Sequence, residues 1–230
     1  MKARAALLAF AILAPALLGG CAGAIRSVSG FYTKNDVTYD PGLIGRWKPV
    51  RPKPQKLKGN ELQLEIPVTE EPMWGGSEAD FEPAAGQPSS SESAGDGYNV
   101  SLRVPSSSHL TIEFKVHLFH LGDSQFLDEE LDTVRSKGEG LNIQFFAIPT
   151  HLLEKVERRG NTLYLYPLSY DWFRRGFADN TLSFPHSKDD NGALFLVADT
   201  ASLQEFVVKH ADDRDVFGPE ARLERKKSFW

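Results

Sequence analysis

Ile112, Phe114, Val116 and Leu118 alternate with Thr111, Glu113, Lys115 and His117. Alternation with period two places the apolar side chains on one face of an extended strand and the polar ones on the other. The segment therefore reads as half-buried strand. The pattern recurs at Leu62, Leu64 and Ile66, across residues 98–104, and at 141–148 and 151–157, with shorter runs at 182–184 and 194–197. Turn chemistry links the runs: Leu121-Gly122-Asp123-Ser124 leads into residues 125–128, and Arg159-Gly160-Asn161 joins 151–157 to 162–168 as a hairpin. Two segments have helical character. Residues 170–177 form a short one, interrupted by Gly176. The other starts near Asp199 or Thr200, both good N-caps, and sets Leu203, Phe206, Val207 and His210 on one face. The expected fold is mainly β: an antiparallel meander with one C-terminal amphipathic helix, closed into a barrel of about eight strands so that no sheet edge is exposed. No βαβ alternation is present, which argues against a parallel α/β sheet.

The first twenty positions have a different character. Lys2 and Arg4 precede an apolar, uncharged run over residues 5–18, broken by Pro15. That run is too short for a membrane-spanning helix, which needs ~20 residues. A positive start, a short apolar run and small residues after it form a secretory signal. The small residues, Leu18-Gly19-Gly20-Cys21, resemble the lipobox of bacterial lipoproteins. The resemblance implies that the Cys21 thiol is joined to a diacylglycerol, that the signal is cut before it, and that the new amino terminus is acylated. Ala22-Gly23-Ala24 is an alternative cleavage site for the ordinary signal peptidase and would discard Cys21. Cys21 ends the apolar run and is the only cysteine of the chain, so it has no disulfide partner and lipidation is its best use. Two or more acyl chains anchor stably. Ala22 rather than Asp after the cysteine implies, by resemblance to enterobacterial sorting, the outer membrane, facing the periplasm.

Residues 1–20 are thus expected to be signal, 21–38 a lipidated tether, 39–218 a single β-rich domain and 219–230 a tail. The chain carries a net charge of −5, which together with export argues against nucleic acid as a partner. Residues 46–58 hold Arg46, Lys48, Arg51, Lys53, Lys56 and Lys58 without an acid. Residues 69–97 are acidic and rich in Pro and Ser, the composition of a disordered loop over 70–97. The basic stretch reads as solvated strand or, alternatively, as a surface turned toward anionic head groups.

Gly45-Arg46-Trp47, after the turn-forming Asp40-Pro41-Gly42, resembles the start of the lipocalin barrel, where the Trp of Gly-x-Trp closes one end. A longer stretch is similar to a group of uncharacterised bacterial lipoproteins. The matching places are Asp40-Pro41 to Trp47, His117-Leu118 to Phe126-Leu127-Asp128, Val156 through Thr162-Leu163 to Trp172, and Leu203-Gln204 through His210 to Phe217-Gly218. The resemblance implies an exported lipoprotein with a lipocalin-like barrel and carries no activity with it.

Motifs for chemistry are absent. No zinc spacing, nucleophile elbow or phosphate loop occurs, and His117 and His120 fall on opposite faces of their strand. Asp128, Glu129, Glu130 and Asp132 read as an acidic, solvated turn after a strand. The expectation is a binding module, not an enzyme, with no metal and no cofactor. A barrel of about eight strands has room for its own side chains or one small ligand. Trp47, Phe114, Phe126 and Tyr164 are the candidate contacts for an apolar ligand such as a lipid. The alternative is an interaction protein of the cell envelope, whose solid barrel binds a partner protein through its surface.

Overall fold

The structure, a computed structural model, describes residues 24–50, 77–84, 97–103, 110–136, 139–142, 149–189 and 193–226. Its elements are β1 (Ile25–Ser27), β2 (Val37–Thr38), β3 (Gly45–Pro49), β4 (Glu78–Pro83), β5 (Tyr98–Arg103), β6 (Leu110–Leu121), β7 (Ser124–Ser136), β8 (Glu139–Asn142), β9 (His151–Arg159), β10 (Thr162–Pro167), α1 (Tyr170–Ala178), β11 (His186–Lys188), β12 (Leu194–Leu196), α2 (Thr200–His210) and β13 (Ala221–Arg225). Strands β3, β4, β5, β6, β7, β9, β10 and β13 pair in that order, and β13 returns to β3. Every pairing in this ring is antiparallel. The result is a closed eight-stranded up-and-down barrel, as the alternating pattern led one to expect.

Two tight hairpins use glycine in the left-handed region. Gly122 (φ 59°) turns β6 into β7, and Gly160 (φ 62°) turns β9 into β10. Positive φ at the first turn position matches the twist of the flanking strands and costs glycine nothing.

The inward residues form one apolar core, made of Trp47, Phe81, Tyr98, Val100, Leu102, Phe114, Val116, Leu118, Leu127, Val156, Leu163, Leu165 and Leu223, among others. A second core lies outside the barrel wall. There Phe119, Phe126 and Leu153 point outward from β6, β7 and β9 and meet Phe31, Phe173, Leu194, Leu196, Leu203, Phe206, Val207 and Phe217. Helices α1 and α2 are fixed against it. The Ser169 hydroxyl accepts from Trp172 N at the start of α1 (3.3 Å), and the Asp199 carboxylate accepts from Ser202 N at the start of α2 (2.8 Å).

Three expected boundaries are corrected. Residues 219–230 are not wholly a tail. Ala221 and Leu223 face inward and Arg222 and Glu224 outward, so β13 supplies the strand that closes the barrel. Residues 21–38 are not wholly a tether. Strand β1 lies parallel to β12 and antiparallel to β9, and Phe31 is fully buried. Within 70–97, Glu78–Pro83 is a barrel strand whose Ala79 and Phe81 enter the core. In each case a short alternation was outweighed in the sequence by nearby Gly, Pro or charge. Residues 182–184, expected as strand, are irregular, because Leu182 N is taken by Gly176 O in closing α1 (3.0 Å). The strand expected at 62–66, residues 143–148 and Cys21 with the signal lie outside the described residues. Among the described residues no helix is long and apolar enough to cross a membrane.

Candidate functional site

One end of the barrel is closed from the sequence upward. Asp40 caps a single 3-10 turn, Pro41–Leu43, by accepting from Gly42 N (2.7 Å). The turn lies across the barrel mouth, so Trp47 can donate its indole N–H to Leu43 O (2.8 Å) from a fully buried position. The Arg225 guanidinium covers the Trp47 ring, 4.5 Å from its centroid, and donates to Ile44 O (2.6 Å) and Gly42 O. The Tyr98 hydroxyl accepts from Asp40 N (2.7 Å) and donates to Asp40 O (3.2 Å), and Arg158 grips the Asp40 carboxylate (2.8 Å). Burial and the neighbouring Asp40 charge push the Tyr98 phenol well above its ordinary pKa, so it stays a neutral bridge.

Beyond this plug, two carboxyl side chains among the described residues share the inward face of the wall. Leu127 and Leu131 of β7 pack on the barrel core, so Glu129 between them shares their inward face. Leu152 and Val156 of β9 do the same for Glu154. Glu129 is opposite Leu152 and Glu154 opposite Leu127, which makes the two acids diagonal neighbours on adjacent strands, within side-chain reach of each other. Their exposures are 0% and 3%.

The acidic cluster at residues 128–132 is therefore not a solvated turn. It is the middle of β7, and alternation divides it between the two faces of the wall. Asp128 points outward into the second core. It is fully buried, accepts from Phe31 N (2.8 Å) and bonds His151 Nδ1 (2.7 Å). Burial opposes the charge on His151, but the hydrogen bond and charge of Asp128 outweigh it, and the His151 pKa is raised. Close by, the Tyr32 hydroxyl lies 3.0 Å from His117 Nδ1, and burial and then Asp128 push its pKa up to about 12. Helix α2 holds the same segment from the other side: Thr200 Oγ1 donates to Gly30 O (2.9 Å), and Gln204 Nε2 donates to Phe31 O (3.1 Å) and to Asp36 (2.8 Å). This arrangement fastens residues 30–36 to the wall.

The structure separates the four aromatic candidates. Trp47 and Phe114 are inside the barrel, Trp47 as its plug. Phe126 is outside, fully buried between Phe119 and Phe217. Tyr164 is outside too, beneath Arg159 and Arg222 on the outer wall. Between bulges a strand keeps one inward parity, and the bulge of β7 lies beyond Leu131. Leu127 takes it on β7, and Leu163 and Leu165 take it on β10, which turns Phe126 and Tyr164 out. Sequence reasoning missed Glu129, Glu154 and Arg225. The signal was available in the leucines two residues either side of Glu129. Among the described residues no group of three or more His, Cys, Asp or Glu side chains is arranged to hold a metal ion. Comparison of the chain with known families, with curated proteins and with solved structures gives no match.

Proposed function

We propose that this chain is an envelope lipoprotein, held to the outer membrane through Cys21, whose barrel carries one small amphipathic ligand. A barrel with one end plugged is a cup. The carrying observation is the pair of interior carboxylates, Glu129 and Glu154, beyond the plug. A ligand with an amine or several hydroxyls can hydrogen-bond carboxyl groups placed there, while Phe114, Leu131 and Leu152 receive its apolar body. The fitting ligand is therefore not purely apolar. The resemblance to lipocalin-like lipoproteins supports the same reading.

A second reading, an interaction protein with a solid barrel, is favoured by the side chains that fill the described interior near the plug. Native mass spectrometry of the mature protein, followed by organic extraction, tests the two. A stoichiometric added mass removed by extraction supports the carrier. A clean apo mass supports the solid barrel.

A further inference from the structure

A cleft of about 340 Å³ lies on the outside of the molecule, lined by Arg174, Phe177 and Ala178 of α1, His186 and Lys188 of β11 and Leu194 of β12. Its floor is apolar and its rim carries Arg174, Lys188 and the imidazole of His186. Phe177 stacks on His186 at 3.6 Å between ring centroids, which forms a flat wall. The Nδ1 of His186 faces Phe184 O at 2.9 Å. Among the described residues Lys188 has no ion pair, and Arg174 shares only the exposed Asp171 (3.2 Å). Asp189 is the nearest acid in sequence, and its Oδ1 accepts from Ala193 N (2.8 Å).

The register places this cleft close to Ile25, near the start of the described chain. Ile25 is opposite Leu194, and Leu194 is opposite Lys188. Two strand spacings separate Ile25 from Lys188, roughly 10 Å. Cys21 lies four positions before Ile25, at most about 14 Å of chain. A protein lipidated at Cys21 therefore holds this cleft within reach of the head-group layer. The described part of the basic stretch at residues 46–58 lies elsewhere: β3 is three strands round the barrel from β9, where β1 attaches, and Arg46 is paired with Asp80 (3.1 Å).

We infer that the cleft between α1 and the β11–β12 hairpin binds the head group of an anionic phospholipid in the membrane that holds the anchor. The phosphate meets Arg174 and Lys188, and the glycerol and upper acyl carbons lie against Phe177, Ala178 and Leu194. The inference rests on the Cys21 anchor proposed above. It gives the tethered barrel a fixed side toward the membrane.

The test uses the full-length protein purified in detergent micelles doped with phosphatidylglycerol or with phosphatidylcholine. Native mass spectra count retained phospholipid, and denaturing spectra report the covalent mass on Cys21. The expected result is one retained phosphatidylglycerol, little phosphatidylcholine, and a loss of about tenfold or more in Arg174→Glu/Lys188→Glu, as removing two basic contacts implies. Arg159→Glu/Arg222→Glu, an equal charge reversal on the outer wall of the barrel, should retain the lipid. Equal loss in both double variants, or equal retention of the two lipids, overturns the inference while the anchor stands. An unmodified Cys21 overturns the anchor itself.

Discussion

The Arg225 guanidinium lies 4.5 Å above the Trp47 ring and donates to Ile44 O, so the last described strand is locked to the first strand of the barrel through the turn that plugs it. Closure of the sheet and closure of its end are one structure. Removing Arg225 uncovers the indole and takes the donors from two half-buried carbonyls. We expect Arg225→Ala to cost about 2–4 kcal/mol and Arg225→Lys about 1–2 kcal/mol, because an ammonium cannot both lie flat on the ring and reach two carbonyls. Urea denaturation measures both. A cost for Lys equal to that for Ala would assign the effect to the planar fork alone.

The two buried phenylalanines, Phe114 inside the wall and Phe126 outside it, separate stability from function. Each alanine variant should lose about 3–5 kcal/mol in urea denaturation. Only Phe114→Ala should weaken ligand retention. Loss of ligand in both would mean that the wall transmits outer packing to the interior.

His151 makes the hold on the N-terminal segment pH-dependent. Its folded pKa is raised above the ordinary 6.5, so the folded state binds the proton more tightly than the unfolded one. The stabilisation is complete below the unfolded value and is lost as pH rises through the folded value. Hydrogen exchange at the Phe31 amide, which donates to Asp128, should therefore speed up from pH 6 to pH 8 beyond its intrinsic base catalysis. His151→Gln should remove that excess. An unchanged excess in the variant would place the titrating group elsewhere.

Much of the barrel was legible because alternation is a local signal. The run from Ile112 to Leu118 names its own inward face, and the glycines of the two hairpins name their turns. Strand β13 was obscured because only Ala221 and Leu223 mark its inward face and Gly218-Pro219 precedes it, a sequence that reads as an end. The interior acids were obscured for a different reason. A charged residue is assigned to solvent by default, and only partners contributed by β9, more than twenty positions away, reveal that Glu129 and Glu154 face each other's strands across one wall. Phe126 and Tyr164 show the converse: an aromatic on a strand can serve either face, and a second core outside the wall gives outward aromatics a place to be buried.

Cys21→Ser should release the protein from membranes into the soluble envelope fraction. Continued detergent-dependent fractionation of that variant would contradict anchoring through the cysteine.

If Glu129 and Glu154 are kept for a ligand, replacing them should cost the ligand-free barrel little. Glu129→Gln and Glu154→Gln should each change its stability by less than about 1 kcal/mol, since glutamine keeps the shape and can still hydrogen-bond. A larger loss of stability in urea denaturation would make the acids structural.

The most direct measurement is the intact mass of the native protein, wild type beside Glu129→Gln/Glu154→Gln, each before and after organic extraction. The carrier account predicts a one-to-one extractable mass on the wild type, bearing an amine or several hydroxyls, and its absence from the double variant. An apo wild type, or a ligand retained equally by both proteins, would contradict it.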